Sequence, residues 1–231
     1  LDPEYVAQLK KEYTGLWYKR FILGLWVQAE GAIYDMWDDS LHVIDFEKLF
    51  TDKPKAKPQR FFAACDYGTA NPTVFGLFAH SGRLPAYLMR EYHYDSAAKG
   101  RQKTDSEYAD DFIKWLGDTR ISCLYVDPSA ASFIAELKKR HVHVIEAKND
   151  VIDGIRFVGA LLQNKQFAVD RACKNTIQEI PSYVWDAKAQ QKGEDKPIKQ
   201  NDHCADMVRY GLFSHFWHPQ ISKQYVGMNF N

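Results

Sequence analysis

The sequence predicts an α/β fold, a mixed central β-sheet flanked by helices, with a helical linker segment at its N-terminal side. Three observations predict it. Residues 60–94 contain three apolar runs joined by short turns, the pattern of an antiparallel meander. Residues 121–170 alternate apolar runs with amphipathic helical stretches, the pattern of βαβ units. Two of the apolar runs, one from each region, end in an aspartate, Asp66 and Asp127.

Composition narrows the classes of function. The 231 residues suffice for one large domain, or one domain with an appendage. Hydrophobic residues make up 45% and charged residues 26%, as in ordinary globular proteins. Lys and Arg number 30, as do Asp and Glu, so a polyanion would have to be met by local patches rather than by net charge. Cys65, Cys123, Cys173 and Cys204 are far apart and lack metal-ligand spacing, which predicts reduced thiols in a cytosolic protein. No apolar run reaches membrane-spanning length, and "LDPEYVAQLKKEY" lacks a signal-peptide pattern. The start without Met, directly in a helical pattern, reads as an internal cut. Neither a phosphate-binding loop nor a dinucleotide fingerprint is present, so a nucleotide-driven motor would lie outside this chain.

The elements follow in order. Residues 4–30 are helical in pattern and rich in aromatics, among them Tyr5, Tyr13, Trp17 and Trp26. "GAIYDMW" (31–37) reads as a turn into an extended piece. "TDKPKAKPQR" (51–60) is the clearest break, which divides a linker segment, 1–55, from a main domain, 56–231. "RFFAACD" (60–66), "TVFGLFAH" (73–80) and "LPAYLMREYHY" (84–94) are the meander strands, and "YGTANP" and "SGR" supply the turns. A helix is expected over 104–116, capped by Thr104 or Asp105. Strands over 121–129 and 141–147 flank a helix over 130–140 that carries Lys and Arg in its last turn, where the helix dipole favours them. A helix near 149–164, a strand at 167–170 and a helix over 173–185 come next. The polar stretch 186–200 reads as a loop or hairpin, and the closing helix spans about 202–216.

Parallel neighbouring strands would bring Asp66 and Asp127 to one sheet edge, the carboxyl end where open α/β sheets bind ligands. Either acid alone could simply cap a turn. The closing helix adds His203 and Asp206, three apart and so on one face, beside an apolar stripe of Ala205, Val208, Leu212 and Phe213. Asp202 stands where an N-cap belongs, and Asp206 could pair with Arg209 three residues on. An unpaired buried carboxylate is costly, so acids facing a sheet need a cation. Hard oxygen and imidazole donors without a thiolate cluster favour Mg²⁺ or Mn²⁺ over structural zinc. Such a site suits phosphodiester hydrolysis, in which two ions about 3.5–4 Å apart activate water and stabilise the leaving oxygen.

These motifs resemble the RNase H-like nucleases, and more narrowly the C-terminal nuclease domain of large terminase subunits from tailed phages, nearest the SPP1-like Bacillus phages. "RFILGLWVQAEGAIYDMWD" (20–38) resembles the linker between the two terminase domains. "FFAACDYGTANPTVFGL" (61–77) and "LYVDPSAASFIAELKKR" (124–140) resemble the two catalytic strands, and "NDVIDGIRFVGALL" and "NDHCADMVRYGL" complete the order. The resemblance implies that Asp66, Asp127 and Asp206 are metal ligands, with His203 an auxiliary ligand or general acid/base. It implies two Mg²⁺ or Mn²⁺ ions, cleavage of double-stranded concatemeric DNA during genome packaging, and an ATPase outside this chain. It further implies a small terminase subunit and a portal as partners, in the host cytoplasm and off any membrane. The family pattern often includes a Glu where position 127 is Asp, and Glu91 is a spare candidate. Lys188, Lys192, Lys196 and Lys199 are the expected DNA-phosphate contacts, with Lys148 and Arg156 behind them. No base-reading motif is present, so cleavage is expected to be largely sequence-independent. An integrase or junction-resolving nuclease on the same fold, and a non-catalytic packaging module, are the competing readings.

Overall fold

The computed structural model describes residues 9, 13, 15–25, 31–51 and 54–217. A seven-stranded sheet runs through it in the order β1-β7-β4-β3-β2-β5-β6. The strands are β1 Val43–Ile44, β2 Arg60–Asp66, β3 Thr73–His80, β4 Ala86–Tyr94, β5 Leu124–Val126, β6 Val144–Glu146 and β7 Phe167–Asp170. β2, β3 and β4 form the expected antiparallel meander. β5 and β6 add in parallel beside β2, while β7 and β1 add in parallel beside β4, so the sheet is mixed.

Five longer helices cover it: α1 Asp105–Leu116, α2 Ala131–Lys139, α3 Val151–Gln163, α4 Lys174–Ser182 and α5 His203–Phe216. Thr104 and Glu107 close a capping box at the start of α1, and the Asp150 side chain caps α3. Strand periodicity sorts the two layers. Phe62 and Ala64 of β2 join a core built with α3, α4 and α5, whereas Ala63 and Cys65 join one built with α1 and α2. Around β5, Cys123 and Tyr125 face the first core, and Leu124 and Val126 the second. Continued by two residues, both series carry Asp66 and Asp127 onto the face that α5 covers.

α5 is more deeply embedded than a one-stripe helix. Every residue from Cys204 to Phe213 is buried, because the sheet lies on one side and α3 and α4 on the other. Gly211 of α5 lets it approach, since a Cβ there would sit 2.9 Å from Phe78 Cε2 and 3.1 Å from Ala64 Cβ, and Gly76 of β3 makes room for the Met207 side chain.

Several boundaries differ from the sequence expectation. The third meander strand begins at Ala86, after Pro85, which has no N–H for the ladder. The strand expected over 121–129 contracts to Leu124–Val126, because the chain turns at Asp127. The helix expected to 185 stops at Ser182, where Tyr183 turns extended and its carbonyl accepts from the Ile33 amide. The stretch 186–200 is hairpin-like, with Trp185 bridging Pro197 around a short helix at Ala187–Gln190.

Of the helix expected over 4–30, the described part is helical at Gly15–Trp17 and continues as a π-turn to Ile22; Tyr5 and Trp26 lie outside the described residues. Trp17 packs edge-on against Trp185. Residues 38–50 carry β1 and two short helical turns that leave no periodicity long enough to read. They are tied to the sheet: His42 Nε2 lies 3.0 Å from the Leu162 carbonyl, and the Phe46 amide donates to Asp170. Among the described residues no helix is long and apolar enough to cross a membrane.

Gly211→Val should push α5 off the sheet and cost about 1–3 kcal/mol, read by denaturant unfolding. Ile113→Ala, at a 43% exposed position, should stay within about 0.5 kcal/mol of wild type.

Candidate metal centre

Cys65 pairs with Val126 in parallel register, so Asp66 and Asp127 leave the sheet side by side. The first turns of α5 close over them. His203 Nδ1 lies 2.9 Å from Asp66 Oδ2. Asp206 divides its two oxygens: Oδ1 accepts from Arg209 at 2.9 and 3.2 Å, and Oδ2 accepts from Lys199 Nζ at 2.8 Å. The same ammonium is 3.1 Å from Asp202 Oδ2. Asp127 Oδ1 accepts from the Ser129 amide at 2.8 Å.

Four carboxylates thus lie at one end of the sheet, with Lys199, Arg209 and His203 paired to three of them. Burial pushes the Asp66 carboxyl up, and Asp206 and Asp202 add to this against the His203 hydrogen bond. Burial alone would lower the His203 pKa, but Asp66, Asp202 and Glu179 outweigh it and raise it. The Asp66–His203 pair therefore holds its proton tightly. Burial also acts on Asp127, yet hydrogen bonds from Ser129 and Tyr210 and the Arg209 charge win and hold its carboxyl below the usual range. Asp127 is thus set up to stay ionised, opposite to Asp66.

No family model matches the chain. The large terminase of a thermophilic bacteriophage, solved in complex with ATP-γ-S, superposes with a TM-score of 0.85 at 44% identity, over 94% of this chain and 54% of that one. By sequence and fold, the chain is a homologue of phage large terminase subunits. The large terminase subunit of Escherichia phage T5 is 27% identical over 193 residues, 80% of this chain and 42% of that protein. The chain thus spans about half the length of these relatives. Two terminase nuclease structures share the fold alone. That of P22 has a TM-score of 0.60 at 17% identity, over 80% of this chain and 92% of that one. That of thermophilic phage G20c with bound magnesium has 0.54 at 10%, over 81% and 98%.

Within this terminase homologue, the structure pairs His203 with Asp66, sets Asp127 beside Asp66 at the strand ends, and places Asp206 in the same first turn of α5 as His203. It also recruits residues that the sequence reading gave other roles. Asp202 occupies the N-cap position of α5, but its side chain makes no cap bond; it is 4% exposed and faces Lys199. Glu179 caps instead, accepting the Cys204 amide at 2.6 Å from α4. The i+3 pair of Asp206 with Arg209 does form, with the Arg209 stem packed over Gly154 and its buried guanidinium donating to the Asn149 and Asp150 carbonyls. It occupies one oxygen and leaves the other facing the site. Tyr210, four residues beyond Asp206, was legible only as part of a helix. The carboxylate of Glu91 is engaged elsewhere, accepting from the backbone and side chains of Asn175 and Thr176 and capping α4.

Beside His203, the side chains of His93, Glu179 and Cys204 bring donor atoms within 4.8 Å of one another. Glu179 is committed to the helix start there. Burial and Glu179 push the Cys204 thiol far up, away from the thiolate a metal needs. The acids at the sheet edge are spread more widely, with Lys199 and Arg209 among them.

The expected DNA-contact lysines separate. Lys188 and Lys192 are exposed, Lys196 pairs with Glu194, and Lys199 turns inward onto the acids. Lys148 donates to the Trp217 carbonyl, and Arg156 pairs with Asp153.

Arg209→Met should destabilise the fold by about 3–5 kcal/mol, because it strands the buried Asp206 carboxylate. Thermal and denaturant unfolding read this, and a loss under about 1 kcal/mol would show that Asp206 is held by other means.

Proposed function

We propose that this chain is the nuclease part of a large terminase: a divalent-metal-dependent endonuclease that cuts double-stranded concatemeric DNA during genome packaging. One observation carries the reading. Carboxylates from two parallel strands and a buried helix converge on one sheet edge, where the protein sets its own ammonium between two of them. That donor set, oxygen with one imidazole and no available thiolate, fits a hard cation such as Mg²⁺ or Mn²⁺. The magnesium-bound relative of the same fold agrees with it.

Asp66, Asp127 and Asp206 would hold the metal, and the family analogy suggests two ions. When bound, they would supply a more acidic water and positive charge beside the phosphate. The chain's own groups do the rest. Asp127, held ionised by Ser129 and Tyr210, supplies negative charge at the strand end. His203, oriented by Asp66, is placed to take or return a proton. Arg209 fixes the Asp206 rotamer from behind. Lys188 and Lys192 offer sequence-independent charge to DNA phosphates.

In the longer protein, the start of residues 1–55 would lead from the ATPase side, while its end, through β1, joins the sheet of the nuclease domain formed by 56–231. The small subunit and portal would be partners, and the host cytoplasm the place of work. The narrower placement beside the SPP1-like Bacillus phages rests on the sequence motifs.

The protein should nick or linearise plasmid DNA with Mn²⁺ or Mg²⁺ and stop on addition of EDTA. Asp66→Asn and Asp127→Asn should each lower the rate by at least about 100-fold, with unfolding still cooperative. Cleavage surviving both changes would refute the site. Selective cutting of four-way junctions over linear duplex would favour a junction-resolving enzyme, and no cleavage with any divalent ion a non-catalytic module.

A further inference from the structure

We propose that Lys199 is a displaceable internal cation that occupies the Asp202–Asp206 half of the metal centre and sets how readily that half takes a divalent ion. The inference rests on the metal-centre reading above. Its ammonium is 2.8 Å from Asp206 Oδ2 and 3.1 Å from Asp202 Oδ2, and both side chains are under 10% exposed. Two such carboxylates beside Asp66 repel one another unless a positive charge stands between them. Arg209 cannot be that movable charge. It is 1% exposed, fixed by two backbone carbonyls and bonded to the opposite oxygen, Oδ1.

Lys199 is built differently. It lies before α5 on the polar stretch that follows the Pro197 bridge, and its side chain is 61% exposed although its tip enters the cluster. A long flexible stem reaching in from solvent can withdraw without opening the core. An alkylammonium is charged at neutral pH, so the tip brings a positive charge to the two aspartates it touches. A divalent ion approaching Asp206 Oδ2 meets that ammonium first. The lysine therefore holds the acids together before metal arrives and competes with metal afterwards. This differs from a phosphate-contact role, in which the ammonium would point outward.

Mn²⁺ binding to the whole chain, followed by titration calorimetry and by the rise in Tm with Mn²⁺ concentration, tests this without any activity readout. Lys199→Met keeps the stem and removes the charge. It should lower the metal-free Tm and shift the Mn²⁺ midpoint to about tenfold lower concentration. Lys199→Arg should stay within about twofold of wild type. Asp66→Asn, measured in parallel, reports on the site itself. If Mn²⁺ binding depends on Asp66 yet its midpoint is unchanged or weaker in Lys199→Met, the Lys199 inference is overturned and the metal centre stands. If no protein shows Asp66-dependent binding, the metal centre falls and the inference with it.

Discussion

The structure depends on how one buried carboxylate is balanced. Asp206 sits in the first turns of a helix that is buried on every side, a place where an uncompensated charge would cost more than a small domain can spare. Its two oxygens meet opposite solutions. Arg209 satisfies one permanently from within the core, and Lys199 satisfies the other from a solvent-reaching stem. The first contact makes the helix foldable, and the second leaves a face that can exchange cations. The function proposed here follows from that division.

The fold exists to deliver this arrangement. β2 and β5 run parallel and in register, so two acids exit together on the face shared with α5. Gly211 removes the side chain that would keep α5 from the sheet, and Gly154 leaves room for the aliphatic part of Arg209. The outer helices cap themselves locally or through neighbours: α1 by Thr104 and Glu107, α4 by Glu91, α5 by Glu179. These acids do structural work and are thereby separated from the ones at the sheet edge.

Much of this was legible in the sequence, for identifiable reasons. Strands β2, β3 and β7 appeared with their observed limits because apolar runs bounded by turn residues set both ends. Asp66 and Asp127 stood out because a strand makes its last residue conspicuous, and His203 and Asp206 because three-residue spacing defines a helix face. What stayed hidden depends on distance in space. Asp202 looked like a cap, since its position is right, and only the packed structure shows Glu179 taking that bond. Lys199 looked like one of four equivalent loop lysines, and nothing local indicates that its tip turns inward. Residues 38–50 carry a two-residue strand, too short for any period, which becomes part of the sheet only through β7.

The central claim is that the acids converging on the sheet edge form a divalent-metal site. The most direct test is a crystal of this protein soaked in Mn²⁺ and measured at the manganese absorption edge. The account requires an anomalous peak bounded by Asp66, Asp127 and Asp206, with the Lys199 ammonium withdrawn from Asp206. Manganese at saturating concentration that binds elsewhere, or nowhere, with Lys199 still seated between Asp202 and Asp206, would contradict it.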